Sequence, residues 1–139
     1  MMDFQVRQLE EKDLKKGFLE TLSHLREVGD LDEKQIKNIF MKIKSDPNNK
    51  IFVAVDTKGK IIGATTLIVE QKFIHKGGVV GHIEDVVAHK DFRKMGIGSA
   101  LIEKALEVAK SEGCYKVILN CLEGNIPFYE KLGFKKRGV

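Results

Sequence analysis

A basic turn with two spaced glycines, at residues 93–100, constrains this chain more than any other stretch. Gly96 and Gly98 have no Cβ, so the backbone at these positions can approach a bulky ligand closely. Apolar residues then recur at helical spacing through residues 101–109, and Gly113 marks the predicted end of the helix. The first turn of a helix has unpaired N–H groups and a partial positive charge, and both favour a phosphate. The stretch therefore predicts a phosphate seat at the start of a helix, with an ordinary tight turn before an amphipathic helix as the alternative.

Length, composition and charge narrow the class of protein. A length of 139 residues fits a single domain, residues 1–139, and 42% hydrophobic with 32% charged residues is typical of a soluble globular chain. No apolar run approaches the roughly 20 residues that span a bilayer. Residues 1–9 contain no apolar core of the signal-peptide kind, so we expect a cytoplasmic location and no membrane binding. The net charge of +4 suits a small anionic ligand better than a nucleic acid.

The two cysteines, Cys114 and Cys121, do not have the spacing of metal ligands. We therefore expect no bound metal and reduced thiols, which agrees with a cytoplasmic location. Cys121 as a covalent acyl carrier is the less favoured interpretation, and a buried strand cysteine is the preferred one.

The hydrophobic pattern predicts strands and helices in one layered domain, without internal repeats or linkers. Predicted strands occupy residues 4–9, 51–55, 60–73, 79–88 and 115–121, with a last extended piece from residue 134. Predicted helices occupy residues 13–28, a segment capped by Asp32, the segment after the glycine turn, and residues 125–132. Gly29 should end the first helix, and the buried face of the second should be Ile36, Ile39, Phe40 and Ile43. This order predicts an α+β, or mixed α/β, fold.

Two adjacent acids, Glu84 and Asp85, interrupt the apolar strand predicted at residues 79–88. Adjacent strand residues point to opposite faces of a sheet, so one of the two carboxylates should face a cleft. The alternative is a β-bulge that directs both of them to the same side. Solvated acids of no function fit poorly between Ile83 and Val86.

The pattern Arg93-x-x-Gly96-x-Gly98 after a strand resembles the acetyl-CoA signature of the GNAT N-acetyltransferases. Three longer runs, at residues 73–87, 113–119 and 128–134, resemble the glucosamine-6-phosphate N-acetyltransferases within that superfamily. So does the N-terminal set Arg7, Asp13-Leu14, Gly17-Phe18, Leu25 and Val28-Gly29. The resemblance implies a GNAT fold, in which a mostly antiparallel sheet splays at the acetyl-CoA site and carries helices on both faces. It also implies a homodimer and a place in amino-sugar metabolism.

The resemblance assigns one group of residues to acetyl-CoA. Backbone N–H groups of the glycine turn would bind the diphosphate, and the strand before it would pair with the pantetheine arm and polarise the thioester carbonyl. The residues so assigned are Val86, Val87, Ala88, Arg93, Lys94, Met95, Gly96, Ile97, Gly98, Ser99, Asn125 and Tyr129. Tyr129 would also protonate the leaving thiolate, with a core tyrosine as the alternative. Asn125 could equally be a helix N-cap.

A second group would meet the amino-sugar phosphate. Glu84 and Asp85, with Tyr129, are the residues given a catalytic role, because the two acids would orient the amine. The substrate-binding residues implied by the resemblance are Arg26, Lys72, Phe73, Ile74, His75, Glu84, Asp85, Tyr115, Lys116 and Asn120. His75 and His82 are given no role as a base.

Three departures from the family pattern concern the acceptor. Asn120 stands where the family usually has aspartate, and an amide cannot carry the negative charge that a base needs. Arg26 stands where a hydroxyl is usual, and the sequence printed ends at Val139, before the strand in which the family carries an arginine for the sugar phosphate. Arg26 could replace that phosphate contact, with an exposed helix-end arginine as the alternative.

The expected reaction is direct attack of a neutral amine on the acetyl thioester in a ternary complex, where positioning and charge stabilisation supply the catalysis. Another GNAT enzyme, acting on a polyamine, another amino sugar or a protein N-terminus, is the first alternative. A CoA-binding module without turnover is the second.

Overall fold

Five strands form one sheet in the computed structural model, which describes residues 3–138. They follow the order of the chain: β1 (Phe4–Gln8), β2 (Asn49–Asp56), β3 (Ile61–Gln71), β4 (Val79–Ala88) and β5 (Cys114–Ile118). Strands β1 to β4 pair antiparallel, and β5 pairs parallel to β4. This mostly antiparallel sheet confirms the predicted α+β class.

The helices are α1 (Phe18–Ser23), α2 (Glu33–Lys44), α3 (Ile74–Gly77), α4 (Ile97–Ser111) and α5 (Ile126–Lys131). Short 3-10 turns lie at Glu11–Lys15, Lys90–Phe92 and Glu123–Asn125. The four-residue α3 is a tight turn rather than a regular helix, because its two central residues, His75 and Lys76, both have φ of 57°.

The sheet carries a hydrophobic core on each face, as the alternation of β2 side chains requires. Phe52 and Ala54 face α4, and they share a cluster with Ile97 and Leu101. The neighbouring residues Val53 and Val55 face α1 in a separate cluster. Full burial of an aliphatic side chain is worth about 1.5–3 kcal/mol, so these two clusters fix α1 and α4 against opposite faces of the sheet.

Strands β4 and β5 pair only along the first part of β4. The paired residues run from Val79 to His82 on β4 and from Cys114 to Ile118 on β5. Strand β4 continues to Ala88, so beyond His82 its edge on the β5 side has no strand partner among the described residues. The sheet therefore opens into a gap between β4 and the segment that follows β5, which is the splay expected of a GNAT fold.

The first predicted helix is wrong as a continuous element. A 3-10 turn precedes α1, and Gly17 separates them with a left-handed φ of 92°. Asp13 is buried at the turn and accepts two hydrogen bonds from Arg7 on β1, at 2.7 and 2.9 Å. This contact, between residues six positions apart, ties the turn to β1, and α1 ends at Ser23 rather than at Gly29.

The second helix begins as predicted. The carboxylate of Asp32 accepts from the N–H of Gln35, and the Gln35 side chain accepts from the N–H of Asp32, which is a complete capping box. Of its predicted buried face, Phe40 is buried whereas Ile39 is 45% exposed.

The C-terminal predictions are partly wrong. Strand β5 ends at Ile118, three residues earlier than predicted, and Cys121 is exposed rather than buried. The segment from Phe134 contains no strand within the described residues. Helix α5 does begin after Asn125, with Pro127 in its first turn.

Candidate active site

A β-bulge brings both acids of β4 to the surface. Glu84 pairs with Thr66 and Val87 pairs with Ala64, so β4 has one more residue than β3 across this interval. Asp85 lies in the bulge with a left-handed φ of 53°. The Thr65 hydroxyl donates to the Glu84 carbonyl at 3.1 Å and holds the bulge from the neighbouring strand. Glu84 and Asp85 are both exposed, as expected for the β-bulge and not for a regular strand in which adjacent residues face opposite sides.

The end of β4 presents backbone groups to the gap. The N–H of His89 donates to the Ile62 carbonyl at 2.9 Å, which turns His89 towards β3. Because the backbone groups of successive strand residues point to alternate edges, Ala88 points the other way, towards the gap. The Arg93 side chain lies on that side, with Nε 3.4 Å from the Ala88 carbonyl oxygen. The Ala88 N–H is thus available at the edge where a ligand could pair with β4.

The start of α4 has the features of an anion site. Lys94 and Gly96 both have left-handed backbone, with φ of 72° and 80°, and Gly96 occupies the N-cap position. The first hydrogen bond of the helix runs from the Ala100 N–H to the Gly96 carbonyl at 3.0 Å, so the amides of residues 97–99 precede the helical ladder. No acidic residue lies in the first turn, and a Cβ built at Gly96 would meet nothing within 4 Å among the described residues. Unpaired amides, a helix dipole and open space fit the diphosphate of acetyl-CoA. The amides of residues 93–99 are therefore the proposed diphosphate seat.

Gly98 also has a packing role that its spacing does not indicate. A Cβ at this position would lie 3.3 Å from Cζ of Phe128, which is tighter than ordinary contact. The absence of a side chain at Gly98 therefore lets α5 pack against the first turn of α4. This contact fixes α5, the helix that carries Tyr129, against the start of α4.

Tyr129 is half-buried and lies on α5 in an aromatic cluster. Its ring meets Phe128 and Phe134 edge to face, with centroids 5.0 and 5.9 Å away. Burial raises the pKa of the Tyr129 phenol, and the Cys121 thiol raises it further. The hydroxyl therefore remains protonated at neutral pH and can donate a hydrogen bond or a proton.

An open cleft of about 1210 Å³ joins Tyr129 to the segment after β5. Its lining includes Lys116, Asn120 and Cys121. Asn125, at the N-cap position of α5, forms no capping hydrogen bond with its side chain among the described residues, so its amide is available to a ligand.

The structure does not bring all predicted substrate residues to this place. His75 stacks on Tyr115 with centroids 3.9 Å apart, and the amino group of Lys72 binds Glu70 at 3.1 Å, both near the start of β4. Phe73 and Ile74 are exposed in the same turn. The start of β4 is nine residues, or about 30 Å, from Ala88. Within a single chain, these residues therefore lie at the opposite end of β4 from Ala88.

Arg26 lies at the same end of the sheet as the gap. It follows α1 and is exposed, and its N–H donates to the Leu22 carbonyl at 3.2 Å. Two residues earlier, the His24 ring meets the His89 ring with centroids 4.3 Å apart. This contact attaches the Arg26 segment to the end of β4.

His89 is a residue that sequence reasoning missed. It is only 2% exposed and lies between the strand end and the diphosphate seat. The sequence carries no clear signal for this role, because Ser, Thr, Asp and Asn are the usual N-cap residues and histidine is not among them.

Two further properties concern residues 3–138. No helix in this range combines the length and the apolar character that crossing a membrane requires. No group of three or more His, Cys, Asp or Glu side chains in the same range is arranged to hold a metal ion.

Comparison with known proteins identifies the class. Residues 6–134 match the Acetyltransferase (GNAT) family, so this chain belongs to the GNAT acetyltransferases. Members of this family use acetyl-CoA as co-substrate, which agrees with the fit of the α4 start to a diphosphate.

Individual relatives narrow the comparison. The chain is 43% identical over 136 residues to a glucosamine 6-phosphate N-acetyltransferase of Trypanosoma brucei brucei, covering 97% of this chain and 91% of the relative. It is 40% identical over 134 residues to a protein of the same name from Dictyostelium discoideum, covering 96% and 85%. The crystal structure of the Arabidopsis thaliana glucosamine-6-phosphate N-acetyltransferase superposes with a TM-score of 0.96 at 37% identity, covering 99% and 95%.

Proposed function

We propose that this chain transfers the acetyl group of acetyl-CoA to the amine of glucosamine 6-phosphate, by direct attack in a ternary complex. The observation that carries the proposal is the combination of full-length similarity to enzymes of that name with an open β4 edge beside an uncapped helix start. The same reaction implies a role in amino-sugar biosynthesis.

On the cofactor side, the residues would bind acetyl-CoA and polarise its thioester carbonyl. The amides of the α4 start, with Arg93 and Lys94, would hold the diphosphate, and Val86 to Ala88 would pair with the pantetheine arm. Met95, Ile97, Gly98, Ser99 and Asn125 complete the proposed cofactor contacts. The Ala88 N–H would then donate to the thioester carbonyl oxygen as negative charge develops there.

On the acceptor side, Glu84 and Asp85 would orient the attacking amine. Both carboxylates are exposed on one bulge, four and three residues before Ala88, so they can meet a substrate that reaches the same gap. The amine must be neutral to attack, and a carboxylate can accept one of its N–H groups and direct the lone pair at the carbonyl.

Tyr129 would complete the reaction. Its phenol is kept protonated by burial, and α5 sits against the first turn of α4. Proton donation to the leaving thiolate would prevent its return to the carbonyl. We expect Tyr129→Phe to lower kcat about 100-fold while the KM for acetyl-CoA changes little.

A homodimer fits the distribution of the substrate residues. Lys72 to Ile74, with His75 and Tyr115, lie near the start of β4, about 30 Å from Ala88 at the far end of the gap, so a second copy would supply them to an active site built around Ala88. The outer edge of β5 has no strand partner among the described residues and is available to such a copy. We further propose a cytoplasmic enzyme that uses no metal, nucleic acid or membrane.

The decisive experiment is an acceptor screen that measures thiol release from acetyl-CoA. Glucosamine 6-phosphate should give the highest kcat/KM among amino sugars, polyamines and peptides with free N-termini. Asn120, in the cleft where the family pattern has an acid, is the reason to include the other amines. A clear preference for another amine would refute the acceptor, and no thiol release with any amine would favour a CoA-binding module.

Arg26 can be tested separately as a phosphate ligand. Arg26→Ala should raise the KM for glucosamine 6-phosphate and leave that for unphosphorylated glucosamine unchanged, because the guanidinium binds phosphate. Lys37→Ala, which removes an exposed cation from α2, is the control for net charge. An equal effect on both sugars would show that Arg26 does not read the phosphate.

A further inference from the structure

His89 is held in place between the end of β4 and the proposed diphosphate seat. Its backbone N–H donates to Ile62, and its carbonyl accepts from the Phe92 N–H, both at 2.9 Å. Its side-chain Nδ1 accepts from the N–H of Asp91 at 3.2 Å, which makes His89 the N-cap of the turn Lys90–Phe92. The residue thus closes one end of β4 and opens the turn that leads to Arg93.

The hydrogen bond assigns the tautomer of the ring. Because Nδ1 accepts a backbone N–H, the proton of the neutral imidazole lies on Nε2. Nε2 is buried and makes no regular hydrogen bond within residues 3–138, and its nearest acidic neighbour is a Glu20 carboxylate oxygen at 3.5 Å. Only one of the two nitrogens is therefore engaged, and it is the one that caps the turn.

The ring is packed from three sides, which restricts its rotation. His24 meets it edge to face at 4.3 Å, and Phe92 does so at 5.5 Å. The third neighbour is the Glu20 carboxylate, 3.5 Å from Nε2, and the ammonium of Lys60 lies 3.8 Å from that carboxylate and 5.7 Å from the Phe92 ring centroid. A ring fixed in this way presents Nδ1 to Asp91 in one orientation.

We propose that His89 is a positioning residue for acetyl-CoA: by capping the turn Lys90–Phe92 through Nδ1, it sets the direction in which the chain leaves β4 and so places the amides of residues 93–99. The proposal rests on the proposed function only in requiring that CoA binds at these amides. His89 itself is buried and need not touch the ligand. Its contribution should therefore be seen in CoA affinity and the KM for acetyl-CoA, with little change in kcat once the site is saturated.

Two substitutions separate a cap from a core filler. In His89→Asn, the side-chain Oδ1 takes the place of Nδ1 and can accept the Asp91 N–H, at the cost of some packing. In His89→Leu, the volume is filled and the acceptor is lost. A capping role therefore predicts that His89→Asn binds CoA better than His89→Leu does, whereas a filling role predicts the reverse.

The test is calorimetric titration of CoA, followed by acetyl-CoA kinetics. His89→Asn should bind CoA within about twofold of the wild type, and His89→Leu about three- to tenfold more weakly, the range expected for a lost cap. In His89→Gln the amide oxygen reaches the Nε2 position and leaves the Asp91 N–H without an acceptor. This variant should behave like His89→Leu, and it replaces His89→Leu if that variant does not fold. Asp91→Ala keeps the backbone N–H and removes the carboxylate, so it should match the wild type.

The outcomes are distinct. If His89→Leu bound CoA as well as His89→Asn does, or if the loss were confined to kcat, the positioning role would be overturned. Weakening by Asp91→Ala would transfer the effect to the carboxylate, 3.8 Å from Nδ1, and would also overturn it. The titration needs no acceptor, so an error in the assignment of glucosamine 6-phosphate would leave these CoA affinities readable.

Discussion

Alanine at Gly63 should force the first turn of α4 away from the sheet. A Cβ at this position would lie 2.5 Å from Cγ2 of Ile97, 3.1 Å from Cδ1 of Leu101 and 3.2 Å from the Val87 carbonyl oxygen. Carbon atoms in contact normally stay about 3.5–4.0 Å apart, so the helix must move by about 1 Å. Ile97 and Leu101 are almost completely buried, so neither side chain has free space to turn into.

The magnitude follows from overpacking. Extra methyl groups in a packed core cost about 1–3 kcal/mol. For a chain of this length, 1 kcal/mol lowers Tm by about 4 °C, so Gly63→Ala should melt about 4–12 °C lower. The displacement begins at Ile97, the first residue of α4, and a shift of about 1 Å in a binding group can cost up to 100-fold. We expect CoA affinity to fall at least tenfold.

Gly81→Ala is the matched control. Its Cβ would lie 3.3 Å from the ends of the Leu67 and Val117 side chains, a milder contact within the paired part of β4. This variant should lose some stability and bind CoA like the wild type. Thermal melting and CoA titration of both variants provide the measurement. If Gly63→Ala had wild-type CoA affinity, the argument that the Gly63–Ile97 contact positions the diphosphate seat would be wrong.

Three shorter predictions concern Asp85, His24 and Tyr129. Asp85→Gly replaces a non-glycine residue in left-handed backbone, so this variant should not lower Tm. Both Asp85→Gly and Asp85→Asn remove the carboxylate and should lower kcat/KM. Unchanged kcat/KM would show that the reaction does not use the carboxylate. Burial lowers the pKa of His24, and the nearby charges of His89 and Lys90 lower it further. The unfolded chain therefore binds this proton more readily than the folded chain, and the free energy of unfolding should fall as the pH drops below about 6.5. His24→Gln should reduce that loss in melts across this range, and an identical pH profile would contradict the assignment. Because the pKa of Tyr129 is raised, any alkaline decline of kcat that it causes should lie above about pH 10, and Tyr129→Phe should abolish that decline.

Local patterns predicted the elements whose signals lie within a few residues. The N-cap at Asp32 and the apolar stripe of α4 formed as expected, because their stabilising contacts are between near neighbours in the chain. The first helix prediction was wrong because Asp13, its first residue, pairs with a residue outside the predicted segment. The Arg7–Asp13 pair joins β1 to the turn before α1, and no pattern within residues 13–28 indicates it.

In the candidate site, too, the sequence indicated the residues, whereas the contacts that define their geometry come from other elements. The sequence placed Glu84 and Asp85 together but left open which faces they occupy, because the bulge is defined by pairing with β3. Spacing also indicated that Gly98 was special without showing that Phe128 is the group it admits. The burial of His89 depends on His24 and Phe92, which only the folded sheet brings to it.

The gap in the sheet follows from a difference in strand length. Strand β4 has ten residues and β5 has five, so about half of β4 extends past its partner. An unpaired edge in the interior of a sheet leaves backbone donors and acceptors that require a partner other than a strand. The bulge at Asp85 lies within this unpaired half, and α4 begins nine residues after Ala88, so the open edge, the acids and the diphosphate seat are all at one end of β4. A longer β5 paired to Ala88 would occupy the edge at which we propose that the pantetheine arm pairs, so the proposed site depends on the short length of β5.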